Sequence, residues 1–224
     1  LDNVEMLSLA VGQQEEMLQT ARLYASAGVL SIETEKPHFD QGRSSSLRAR
    51  LQGGSFGYVT PSLRWWQQLD SRTSLALDGT YMRADGNYPY TLVNGKYVTH
   101  EKRNNSSIYS WQGEANLHHT LRDSSQLSVK GYYYSSRRGL PGAVTLYNPL
   151  STEKLWDENY FIQAQYRKRF NDRWSLRAQA KYTYGWNKMS DAGTPVDGGI
   201  YTERYSQDEY YLSASVLYRP TAAF

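Results

Sequence analysis

The groups that could do chemistry in this chain are few and scattered. It holds four histidines, His38, His100, His118 and His119, and no cysteine. The lack of thiols excludes a disulfide scaffold and any cysteine-ligated zinc or iron–sulfur centre. His118 and His119 are adjacent, so on a strand they leave opposite faces and cannot chelate one ion together. Serine is abundant, but no Gly-x-Ser-x-Gly elbow, phosphate loop or dinucleotide fingerprint occurs. No enzymatic constellation stands out, and none is expected. Asp191, Asp197 and Glu203 share one glycine-bearing stretch with Gly193, Gly198 and Gly199. Oxygen ligands on such a loop could hold a structural calcium, although the spacing is not that of an EF-hand. No other cofactor is expected.

Groups suited to binding are more numerous. Aromatic residues make up 14% of the 224, with 20 Tyr, 6 Trp and 5 Phe. Tyr and Trp fit where one end of the side chain is apolar and the other wet, as at binding surfaces and membrane interfaces. The 25 basic and 22 acidic residues leave a net charge of +3, and no basic stripe appears, so no nucleic-acid partner is expected. Mean hydropathy is −0.71. No run approaches the ~20 apolar residues of a transmembrane helix, which excludes a helical membrane protein.

The elements that must position these groups show a period of two, the signature of half-buried strands. In 174–186 one face reads Trp174, Leu176, Ala178, Ala180, Tyr182, Tyr184, Trp186, and the other is polar or small throughout. The same alternation predicts strands over 45–53, 58–69, 73–83, 107–121, 126–136, 158–170 and 208–219. Tight polar turns, Asp70-Ser71-Arg72, Arg122-Asp123-Ser124-Ser125 and Asn171-Asp172-Arg173, alternate with long connections at about 84–106, 137–157 and 187–207. Short turns on one rim and long loops on the other are the pattern of an outer-membrane β-barrel. Trp174 and Trp186 then mark the two interfaces of a bilayer. A soluble antiparallel sandwich alternates as well. The strands exceed the usual five or six residues, and their apolar faces carry Tyr and small residues, which favours the barrel.

In that frame the long loops supply the candidate ligand-binding residues: Tyr88, Tyr90, Tyr97, Trp156 and Tyr201, with Arg137 and Arg138 to meet an anionic ligand or a lipopolysaccharide phosphate. The same aromatics could instead pack loop against loop.

Residues 1–43 differ from the rest. Val4 to Leu9 reads as a short strand, and Gln13 to Gln19 as helix or loop. The stretch from Ala21 to Pro37 resembles the end of the plug domain of TonB-dependent outer-membrane receptors, through Tyr24, Gly28, Val29, Ile32, Thr34, Lys36 and Pro37. Asp85-Gly86-Asn87-Tyr88-Pro89-Tyr90 with Arg103-Asn104-Asn105, and Arg138-Gly139-Leu140-Pro141-Gly142, resemble loop motifs of Bacteroidetes-type and cobalamin-receptor-like members. The resemblance implies an all-β fold: an antiparallel transmembrane barrel of which this chain carries about eight of 22 strands. Residues 1–43 would be the C-terminal part of the plug and its junction, and 44–224 the N-terminal part of the barrel. Phe224 would open a further turn.

The resemblance also implies a function. The parent protein would sit in the outer membrane of a Gram-negative bacterium and take up a large scarce nutrient. Siderophores, haem and cobalamin are the cargoes considered, with glycans and peptides in Bacteroidetes. The TonB energy-coupling complex, acting through the missing part of the plug, would drive uptake. Outer-membrane lipid, lipopolysaccharide and a surface lipoprotein are the further partners considered. Arg48, Arg64, Glu114, Lys130, Arg167, Arg177 and Lys181, on the polar strand faces, would meet the plug; a hydrated interior without a specific partner would carry such charges too. Two other readings stay open: a free-standing eight-stranded barrel serving as anchor or adhesin, and a soluble sandwich that binds carbohydrate or hydrolyses glycosides.

Overall fold

The computed structural model describes residues 4–11, 18, 22, 26–35, 37–39, 42–144, 151–196 and 199–220. Strands β1 (Val4–Val11) and β2 (Gly28–Thr34) form a two-stranded antiparallel sheet of their own. The alternating segments become β3 (Ser45–Gly54), β4 (Tyr58–Asp70) and β5 (Thr73–Ala84). A small hairpin follows, β6 (Pro89–Asn94) and β7 (Tyr97–Lys102). Then come β8 (Ile108–Thr120), β9 (Gln126–Gly139), β10 (Lys154–Arg169), β11 (Trp174–Val196) and β12 (Gly199–Tyr218). Eight of these make one antiparallel sheet in the order β3-β4-β5-β8-β9-β10-β11-β12. The fold is thus all-β, and β3 and β12 are open edges, so the sheet does not close into a barrel. Among the described residues no helix is long and apolar enough to cross a membrane.

The short turns form because their side chains replace missing backbone partners. Asp70 accepts from the Arg72 amide at 2.6 Å and the Thr73 hydroxyl at 2.8 Å. Asp123 accepts from the Ser125 amide at 3.1 Å and hydroxyl at 2.6 Å. Asn171 accepts from the amides of Arg173 and Trp174, both at 2.9 Å.

The other rim departs from expectation. Residues 84–106 are not a plain connection: they contain β6–β7, closed by Gly95-Lys96 with Gly95 at φ +62°, a conformation that favours glycine at the first turn position. The 187–207 segment is ladder rather than loop. β11 and β12 stay paired out to Val196 and Gly199, with an irregularity between Asp191 and Pro195. Beyond the apolar band neither face is consistently apolar, so the period-two signal fades while backbone pairing continues.

Burial is inverted relative to a soluble sheet. Among the described residues the buried apolar ones are Trp66 and Ala76, 7% and 2% exposed, and they face each other across β4 and β5 on the polar face. Buried Thr60, Arg64, Ser110, Asn116 and Ser136 share that face by strand parity. The apolar face is open: Leu47 is 67% exposed, Leu51 74%, Ile162 55% and Leu212 82%.

Candidate functional site

The polar face is organised by register. One row of directly opposed residues crosses all eight strands of the large sheet. From β3 it begins Arg48, Arg64, Asp78, Glu114. It continues Tyr132, Phe161, Thr183, Glu209. Like charges directly opposite repel, as Arg48 and Arg64 would. Arg64 is relieved by acids: its Nε donates to Asp78 at 2.6 Å and its Nη1 to Glu35 at 2.7 Å. Next along the row, Glu114, its side chain 7% exposed, pairs with Lys130 at 3.0 Å. Tyr132 stacks on Phe161 at 5.1 Å, and the Lys181 ammonium lies 4.4 Å from the Phe161 ring centre.

Among the described residues, the N-terminal region reaches this face at three strands. Glu35 meets Arg64 of β4. The Leu18 carbonyl accepts from Arg177 of β11 at 3.0 Å. Arg22 pairs with Glu209 of β12 at 2.7 Å and lies 4.8 Å over the Tyr211 ring. Of the seven charged residues assigned to plug contact, Arg64 and Arg177 touch described residues of 1–43 directly. Glu114, Lys130 and Lys181 are engaged within the sheet. Arg167 shares their face, directly opposite Arg177. Tyr24 and Lys36 lie outside the described residues.

The seven loop candidates separate into three places. Tyr88, Tyr90 and Tyr97 belong to the hairpin region, where Tyr88 touches Phe56 at 6.2 Å and Tyr90 at 6.4 Å. Tyr97 stands 73% exposed. Arg138 and Tyr201 lie on the polar face; Arg138 pairs with Asp157 at 3.2 Å, and Tyr201 donates its hydroxyl to Glu203. Arg137 and Trp156 lie opposite each other on the apolar-face parity.

The stretch considered for calcium is held by protein groups. Asp191 accepts from Thr194, from Thr152 at 2.7 Å and from the Gly193 amide at 2.9 Å, and the Thr194 hydroxyl above all keeps its carboxyl below the usual range. Asp197 lies outside the described residues. Among those described, no group of three or more His, Asp and Glu gathers as a metal site.

An open recess of about 460 Å³ lies at the long-loop end, lined by Tyr134, Arg138, Asp157, Asn159, Asn187 and Tyr205. Apart from Arg138 it went unforeseen in the sequence. Its signal was available: extending the strand parity of β9–β12 past the apolar band puts these hydrogen-bonding side chains on one face. The two loop motifs also converge. The Asn105 side-chain amide donates to the Leu140 carbonyl at 3.0 Å and the Glu153 carbonyl at 2.6 Å, and Arg103 donates to the Gly142 carbonyl. No family model matches the sequence, and no curated protein matches it.

Proposed function

We propose that this sheet is part of the wall of an outer-membrane receptor barrel that takes up a large scarce nutrient, a siderophore, haem or cobalamin, by TonB-coupled transport. The observation that carries the reading is the inverted burial: apolar side chains cover the solvent-open face while the buried strand residues among those described sit on the polar one. A bilayer is the solvent that makes such a face favourable. Aromatic pairs at both ends of the apolar face support it, Trp174 with Tyr218 at 4.5 Å and Tyr81 with Trp111 at 4.4 Å. The open edges β3 and β12 favour a larger barrel, completed by further strands, over a closed eight-stranded one.

On this reading the contacts of Glu35, Leu18 and Arg22 belong to a plug lying against the lumen. The recess around Tyr134 and Asp157 lies where cargo arrives. No covalent chemistry is required of the chain; energy enters when the coupling complex remodels the plug.

The chain has no cysteine, so single cysteines report cleanly. Placed at 176 to 183 in β11 and labelled in vesicles, even positions are expected to report lipid and odd positions water. In cells, cargo binding at the surface should survive deletion of the energy-coupling complex while uptake is lost. A detergent-free soluble monomer overturns the membrane reading; uptake without the coupling complex overturns the transport reading.

A further inference from the structure

Just beyond the aromatic row of Tyr81, Trp111 and Trp186, the apolar-face parity carries a second row of directly opposed residues. It reads Arg83, Tyr109, Arg137, Trp156, Lys188, Arg204 across β5, β8, β9, β10, β11 and β12. Four of the six are cations, on the face whose centre is aliphatic. The Arg137 guanidinium lies 5.6 Å and the Lys188 ammonium 4.9 Å from the Trp156 ring, from its two sides in the row. Arg83 lies 5.6 Å over Tyr109 and pairs with Asp85 at 3.2 Å. Among the described residues, no carboxylate forms an ion pair with Arg137, Lys188 or Arg204. Glu158 stands one row nearer the apolar band, opposite Trp186.

Cations spread over aromatic planks at the edge of an apolar field form an amphipathic surface. A soluble anion would use only the charges. A molecule with phosphate at one end and acyl chains at the other uses both, its phosphate on Arg137 and Lys188 and its chains along the face below. We propose that this row binds the phosphate groups of a lipid in the leaflet at the long-loop rim. The inference rests on the membrane reading above. It assigns Arg137 to the lipid side and separates it from Arg138, which pairs with Asp157 on the polar face.

The test titrates the full chain in neutral detergent micelles with bisphosphorylated lipid A, its dephosphorylated form, and inorganic phosphate, reading bound lipid by native mass spectrometry. Lipid A is expected to bind, and the triple variant R137Q/K188Q/R204Q to bind it about tenfold or more weakly, the loss of at least one charge-assisted contact. R137K/R204K, which keeps the charges, should retain most of the affinity and guards against misfolding as the cause. Equal binding of the dephosphorylated lipid, unchanged binding by the triple variant, or competition by inorganic phosphate at equal concentration overturns the inference and leaves the membrane reading standing. A chain that takes up no micelle overturns both.

Discussion

Gly139 lies so close to Asn105 that a Cβ built on it collides with the Asn105 backbone carbonyl. The Gly139 amide bonds the Ser107 carbonyl at 2.9 Å, and the Asn105 side chain fastens the carbonyls of Leu140 and Glu153. Asn105 has φ +51°, a left-handed conformation that Asn tolerates better than most residues. Two motifs far apart in sequence thus close one clasp at the long-loop rim.

Asn105→Gly keeps the backbone conformation and removes the amide. It is expected to cost about 1 kcal/mol, the net worth of ordinary part-buried hydrogen bonds, because the Leu140 carbonyl keeps the Ser151 hydroxyl and the Glu153 carbonyl keeps the Leu140 amide. Gly139→Ala should destabilise by forcing the clasp apart, whereas Gly95→Asn, at a left-handed position with open space around it, should be close to neutral. Thermal unfolding of the three variants in micelles orders them; equal midpoints refute the clasp.

Arg64 holds two acids, one of them across the boundary between the N-terminal region and the sheet. Its side chain is 10% exposed, Asp78 17% and Glu35 38%. Arg64→Gln is expected to cost about 3 kcal/mol, the low end for removing one partner of a buried pair, because Glu35 is partly in water. Proteolysis near residue 37 should quicken in the variant, since its tether to β4 is gone. Unchanged stability and cleavage would refute the tether.

At the short-turn rim, Lys168 and Ser125 hold the Asp123 carboxyl well below the usual carboxylate range, and the Arg72 amide above all lowers Asp70. A depressed carboxyl adds stability that is fully present above its unfolded pKa of about 3.9 and is lost as pH falls through the folded value. The unfolding midpoint should therefore drop below about pH 4. Asp123→Asn should flatten that drop, and a profile identical to the parent's would show that the turn does not contribute.

How much of this was legible depended on where one face of a strand is apolar. Trp174 to Trp186 announced β11, and the Asx-type turns announced the short rim, because each signal is local in sequence. The continuation of β11 to Val196 was hidden, since Asn187, Met189 and Asp191 alternate with Lys188 and Ser190 and no apolar contrast remains. The β6–β7 hairpin was hidden behind a composition that reads as loop, although Asn94-Gly95 is a turn signal. The partners of Arg64 were invisible in another way: Asp78 follows from register, but Glu35 comes from outside the sheet. Arg137 and Arg138 were grouped because they are neighbours in sequence, and the period of two is what parts them.

The sharpest discrimination between a lipid-facing and a water-facing sheet comes from one charge placed on either face. Ile162 is 55% exposed and lies opposite Gly131 and Tyr182 in the middle of the apolar face. On a soluble sheet Ile162→Lys would be neutral or would improve solubility. In a bilayer it is expected to cost about 2–4 kcal/mol, the range for a lysine at the midplane. Thr183→Lys, on the polar face opposite Glu209, should be nearly neutral in either setting. Folding yield into vesicles, measured side by side, separates the cases: loss for Ile162→Lys alone supports lipid on that face, and equal yields place water there.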